Sequence, residues 1–257
     1  MTAHEKLVAL RAIATKEVLR FARIWIQTVL PPVITTALYF VIFGNLIGPR
    51  IGPMEGFDYM EFIIPGLIMM AVITNSYANV VSSFYGSKFQ RHIEEMLISP
   101  VPNYIILVGF VLGGVTRGLT VGIAVTVVSL VFHPLNIHSL WVMFSMIILT
   151  AVLFSLAGLI NGVYARSFDD ISIIPTFVLT PLTYLGGIFY SIGMLPAFWQ
   201  DVSLANPILY MVNAFRYGFL GISDISLSTS YAISIGFIVA LYLFSLHLLR
   251  TGHGIRT

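Results

Sequence analysis

Along this chain, long apolar runs are separated by short polar breaks. The runs cover residues 24–46, 62–85, 103–132, 139–164, 171–192 and 231–249. Each has about the 20 residues that a helix needs to cross a bilayer, or more. Membrane strands would be shorter and would alternate in polarity, and no such alternation occurs. A helix satisfies its own backbone groups in lipid, so the pattern predicts an all-α polytopic membrane protein of six spans, one domain over residues 1–257. Ahead of the first run, Ala3, Leu7, Leu10, Ala14, Val18 and Phe21 recur every three to four residues, accompanied by Lys6, Arg11, Lys16, Arg20 and Arg23. Residues 1–23 therefore predict a basic amphipathic helix in the membrane interface. The alternative is a solvated basic tail. Pro31 and Pro32 are placed to bend the entry to the first span. Residues 193–230, between the last two runs, are semi-apolar. They predict short helices tucked into the outer leaflet, with Trp199, Tyr210 and Tyr217 at its interface.

One polar break carries more charge than a simple turn requires. Residues 88–100 read Lys-Phe-Gln-Arg-His-Ile-Glu-Glu-Met-Leu-Ile-Ser-Pro. At helical spacing Phe89, Ile93, Met96 and Leu97 share a face, and Lys88, Arg91, Glu94 and Glu95 fall on the others. Lipid-spanning helices need no such element. A short amphipathic helix at a loop tip makes sense as a place where a partner docks, the alternative being a solvated helical turn.

Composition agrees with a membrane class. Of 257 residues, 58% are hydrophobic and 9% charged, and mean hydropathy is +0.93, whereas soluble domains carry roughly 25% charged residues. The formal net charge of +2 gives no support to a nucleic-acid partner. The absence of cysteine excludes disulfides and thiolate chemistry. Lys and Arg placement sets the orientation. The N-terminal segment, Lys88, Arg91, Arg166, Arg250 and Arg256 put ten cations on one side, against Arg50 and Arg216 on the other. Both termini and the 88–100 loop are therefore expected to be cytoplasmic.

Several chemistries have no motif. No G-x-x-x-x-G-K-[ST] phosphate loop, H-E-x-x-H or G-x-S-x-G occurs, so no catalytic residue is assigned and no ATPase site is expected in this chain. His133 and His138 read as loop residues, not metal ligands, and no metal site is predicted. All eleven acids fall in tails, loops or span ends, which leaves a proton-driven carrier without an obvious intramembrane acid. Arg117 is the one charge deep in a span. It is either a packing or interface arginine held by carbonyls, or a cargo contact. Gly114, Gly118 and Gly122, extended by Gly109 and Gly113, form a small-residue ridge suited to close helix packing. Polar residues of the second span, Asn75 and Asn79 among them, line a pathway or hydrogen-bond between helices. Tyr184 is a third candidate for pathway lining.

Several fragments, in order and at matching spacing, carry a resemblance: Tyr39 with Phe43-Gly44; Phe62-Ile-Ile-Pro65-Gly66; Arg91-His-Ile-Glu94-Glu95-Met-Leu-Ile-Ser99-Pro100; Pro181-Leu-Thr-Tyr-Leu-Gly186-Gly187-Ile-Phe-Tyr190; Leu195-Pro196; Asn206-Pro207-Ile-Leu-Tyr210; and Ala214-Phe-Arg216-Tyr-Gly218. Over nearly its whole length the chain resembles the permease subunit of ABC-2 type transporters. Ser191 and Asn213 depart from the family pattern, where proline and an acid are common. The resemblance implies a permease homodimer in the bacterial inner membrane and two separate ABC-type ATPase subunits that bind ATP and magnesium. It also implies docking of the ATPase on Phe89, Arg91, Ile93, Glu94, Glu95, Leu97 and Pro100. Mostly apolar spans favour export of a hydrophobic or amphipathic compound. A membrane scaffold for an ATPase and an ion-coupled carrier are the alternatives.

Overall fold

The computed structural model describes residues Met1–Gly254; Arg256, one of the cations used for orientation, lies outside them. Among the described residues ten helices, besides a 3-10 turn at Ile192–Met194, follow one another: α1 (Ala3–Ala22), α2 (Trp25–Ile51), α3 (Tyr59–Phe89), α4 (His92–Ile98), α5 (Asn103–Phe132), α6 (Leu140–Tyr164), α7 (170–184), α8 (Ala197–Leu204), α9 (Pro207–Leu220) and α10 (Leu227–Thr251). There is no strand among the described residues. Helices α2, α3, α5, α6 and α10 are long and apolar enough to cross a membrane.

The fifth expected span, residues 171–192, is corrected by the structure. Helix α7 stops at Tyr184 after fifteen residues, about 22 Å of rise against a hydrocarbon core of roughly 30 Å. Pro175 and Pro181 interrupt its hydrogen-bond ladder, and a π turn over Pro175–Leu179 absorbs the first break. Gly187, at φ 71°, then turns the chain back. In the sequence, Gly186-Gly187 reads as part of an apolar run; in the fold, it is a bend.

Helix α3 is the hub, with most of its length buried, and it is held between two glycine-bearing faces. On one side Gly114, Gly118 and Gly122 of α5 meet Val80, Ser76 and Val72; a Cβ at Gly118 would overlap the Ser76 hydroxyl. On the other side Gly158 of α6 lies where a Cβ would come 2.5 Å from the Tyr77 carbonyl oxygen. The ridge thus serves packing inside one subunit. Gly109 and Gly113 use a different face of α5 and receive Ile13 and Glu17 of α1. These contacts are four residues apart on both helices, so α1 runs beside α5 over that turn.

The 193–230 segment also differs from expectation. It does contain short helices, but α9 is an interior element. Its residues Ile208–Arg216 are all buried, Tyr217 and Leu220 are half-buried, and it packs among α3, α6 and α10. Arg216, counted above as an outer-side charge, is 1% exposed. Its guanidinium donates to the Gly187 carbonyl and stacks 3.9 Å from the centre of the Phe62 ring. Trp199 remains exposed and Tyr210 is buried. Helices α2 and α7 lie at the margin, with long exposed apolar faces.

Candidate functional site

The docking candidates gather at the end of the bundle where α3, α6 and α10 terminate. Arg91 adopts a left-handed conformation, φ 62° and ψ 6°, which separates α4 from α3. That conformation costs a non-glycine residue roughly 1–2 kcal/mol. Phe89 therefore belongs to the last turn of α3, and the single apolar face expected over 89–97 is split. Ile93 is fully buried in its own subunit, in a cluster with Phe84, Phe110 and Leu159. The expectation that Ile93 contacts a partner is corrected: its apolar surface is spent on anchoring α4. Leu97 is half-buried against the same cluster, and Glu94 is half-buried too. Arg91, Glu95 and Pro100 are exposed, Phe89 is 65% exposed and Ile98 84%. Glu94 and Glu95 occupy the first turn of α4, where carboxylates suit the helix dipole.

A neighbouring loop, not singled out in the sequence, completes this face. Phe168 is exposed and packs edge-on against Tyr85, with ring centroids 4.9 Å apart, and against Phe89 at 5.3 Å. The Tyr85 hydroxyl donates to the Arg166 carbonyl at 3.0 Å. Lys88 Nζ donates to the carbonyls of Val163 (2.6 Å) and Ala165 (2.8 Å), tying α3 to the end of α6. Lys88 thus points inward and is no part of an exposed charged face. Beyond it, Ser167 and Asp170 start α7 reciprocally. The Asp170 carboxylate accepts from the N–H groups of Arg166 (2.8 Å) and Ser167 (3.1 Å), and its own N–H donates to the Ser167 hydroxyl. The Arg166 N–H, then the Ser167 hydroxyl, hold the Asp170 carboxyl below the usual carboxylate range. The only sequence signal for this loop was its spacing, Ser167-x-x-Asp170 before an apolar run.

The three pathway candidates do not form one site. Asn79 is fully buried and closed off: Arg20 Nη2 donates to both its carbonyl oxygens, backbone and side-chain, at 2.8 Å. Glu17 sits beside them, fully buried, 3.4 Å from Arg20 Nε and 3.9 Å from Lys16 Nζ. That corrects the placement of all acids in tails, loops or span ends. The amphipathic helix α1 inserts Glu17 into the bundle, and the acid is paired there. Asn75 donates to the Ala71 carbonyl (2.9 Å) and accepts from Arg117 Nη2 (3.1 Å). Both border a cleft of about 360 Å³ between α2, α3 and α5. Tyr184 is half exposed, stacks on Phe189, and lies 3.3 Å, hydroxyl to hydroxyl, from Tyr39, which also borders the cleft. Among the described residues no group of three His, Cys, Asp or Glu gathers to hold a metal ion.

The fold is that of a polytopic α-helical membrane protein with a short amphipathic helix at one end of its bundle. Residues 8–220 match the family model described as ABC-2 type transporter, and the chain belongs to that family. It is 62% identical to the inner membrane transport permease YadH of Escherichia coli strain K12 over 255 residues, 99% of each chain. It is 23% identical to nodulation protein J of Rhizobium leguminosarum bv. viciae over 214 residues, 83% of each. A second nodulation protein J, from Rhizobium meliloti strain 1021, is also 23% identical, over 82% of this chain and 80% of its own.

Proposed function

We propose that this chain is the permease of an ATP-driven exporter in the bacterial inner membrane, with both termini and α4 on the cytoplasmic side. It acts as a homodimer in lipid, and a separate ABC-type ATPase binds ATP and magnesium. The supporting observation is the split character of the α4 region. Ile93 anchors the helix within the subunit, while Phe89, Arg91, Glu95, Ile98 and Pro100 stay exposed beside Phe168. A rigid, exposed aromatic and aliphatic patch with charges around it is suited to a protein partner. Closure of the ATPase on that patch displaces α4. Through Ile93 the displacement reaches the cluster around Phe84, and α3 carries it along the bundle. The cation asymmetry supports the orientation. The inner-membrane location follows the relative with 62% identity.

The test is co-purification with the ATPase. Glu94→Lys with Glu95→Lys, and separately Phe89→Ser with Ile98→Ser, should leave membrane levels unchanged and lower ATPase recovery by about tenfold or more. Unchanged recovery in both double variants would remove the docking assignment. Cargo-stimulated ATP hydrolysis by the complex separates a transporter from a scaffold. Cargo movement in vesicles without ATPase would point instead to an ion-coupled carrier.

A further inference from the structure

Arg117 is incompletely satisfied. A guanidinium can donate five hydrogen bonds. Among the described residues Arg117 makes one, to Asn75, and its Nε is buried without an acceptor. Among the described residues no carboxylate stands within salt-bridge distance of it, and Glu17 is engaged by Arg20 and Lys16. Arg20 acts on Arg117 as a nearby like charge. The local balance is therefore cationic, in a segment where an uncompensated arginine is costly. Such a group needs an anion. The cleft beside it supplies room, about 360 Å³, within the range of small-molecule sites. Most of its accessible lining is apolar, from Pro31, Pro32, Leu67 and Met70, with the hydroxyls of Thr35, Thr36 and Thr74 set among them. A cation at the head of an oily groove matches an amphipath with an anionic head.

We propose that this cleft binds an amphipathic molecule bearing a phosphate or carboxylate, with Arg117 as its counter-ion and the tail along α2 and α3. The molecule is either a resident membrane lipid or the cargo. Binding itself stands apart from the docking face, and only the cargo reading rests on the permease function proposed above.

The probe is dodecyl phosphate, in equilibrium binding to the full chain in nanodiscs of zwitterionic phosphatidylcholine. Arg117→Gln should weaken binding about tenfold or more, the loss of a charge-assisted hydrogen bond, while Arg117→Lys should recover most of it. Asn75→Asp retains the arginine but sets a carboxylate against it, and should weaken binding similarly even if Arg117→Gln fails to fold. Dodecyl trimethylammonium should bind none of these proteins. Wild-type affinity in both Arg117→Gln and Asn75→Asp, or equal binding of the cationic probe, would overturn the site. Two further measurements distinguish the sources. Anionic phospholipid retained by wild type and lost in Arg117→Gln identifies a membrane lipid. ATP-dependent movement of dodecyl phosphate by the complex with its ATPase identifies cargo. Either supports the site. If the docking variants leave ATPase recovery unchanged while dodecyl phosphate still binds through Arg117, the docking assignment alone falls.

Discussion

Single residues in this protein are tuned by what stands within a few ångströms. Gly158 and Gly86 both lie in long apolar helices, yet a Cβ at Gly158 would press on the Tyr77 backbone and one at Gly86 meets nothing within 4 Å. Gly158→Ala should therefore lower the thermal midpoint and the yield of folded protein, because backbone cannot give way. Gly86→Ala should be neutral or stabilising by up to about 1 kcal/mol, as alanine is the better helix former. Fluorescence-detected size exclusion after heating measures both. Ser191 and Asn213 show the same locality. Both depart from the family pattern, and both bind one residue: the Ser191 hydroxyl donates to Asp224 Oδ1 at 2.9 Å, and the Asn213 side-chain oxygen accepts from the Asp224 N–H at 3.1 Å. Separations of 33 and 11 residues from Asp224 hide that meeting from any reading along the chain.

Among elements, α4 shows how far periodicity reaches. The amphipathic character of 88–100 was legible, because charge and apolar side chains alternate at helical spacing. Which apolar residues face the subunit was not, because the left-handed Arg91 resets the helix phase between Phe89 and Ile93. A strained residue at an exposed hinge is itself a pointer to function. Arg91→Gly preserves that conformation at no steric cost and removes the guanidinium. It should raise stability by up to about 1 kcal/mol and still reduce ATPase recovery. Higher recovery than wild type would show that Arg91 serves the turn and not the partner. Helix α7 fails differently: mean apolarity extended it to residue 192, while its prolines and Gly187 end it at Tyr184.

For the whole molecule, the homodimer proposed above would need an exposed apolar face, and α2 and α7 each offer one. Phe177 on α7 is 74% exposed. Because the chain has no cysteine, Phe177→Cys and, on α2, Ile34→Cys can be made singly with no background thiols. At least one should yield a disulfide-linked dimer in native membranes under mild oxidation, read on a non-reducing gel. Monomer alone for both would place the homodimer contact elsewhere or exclude it.

The apolar runs and the family fragments by themselves determined a helical membrane protein with a charged, amphipathic loop, since bilayer thickness and backbone hydrogen bonding leave a chain this apolar few other options. Contacts between residues far apart decided the rest. Burial of Ile93, insertion of Glu17 beside Arg20, the pairing of Arg117 with Asn75, the turn at Gly187 and the interior seat of α9 all depend on which faces meet, and helix spacing specifies a face without naming its neighbour.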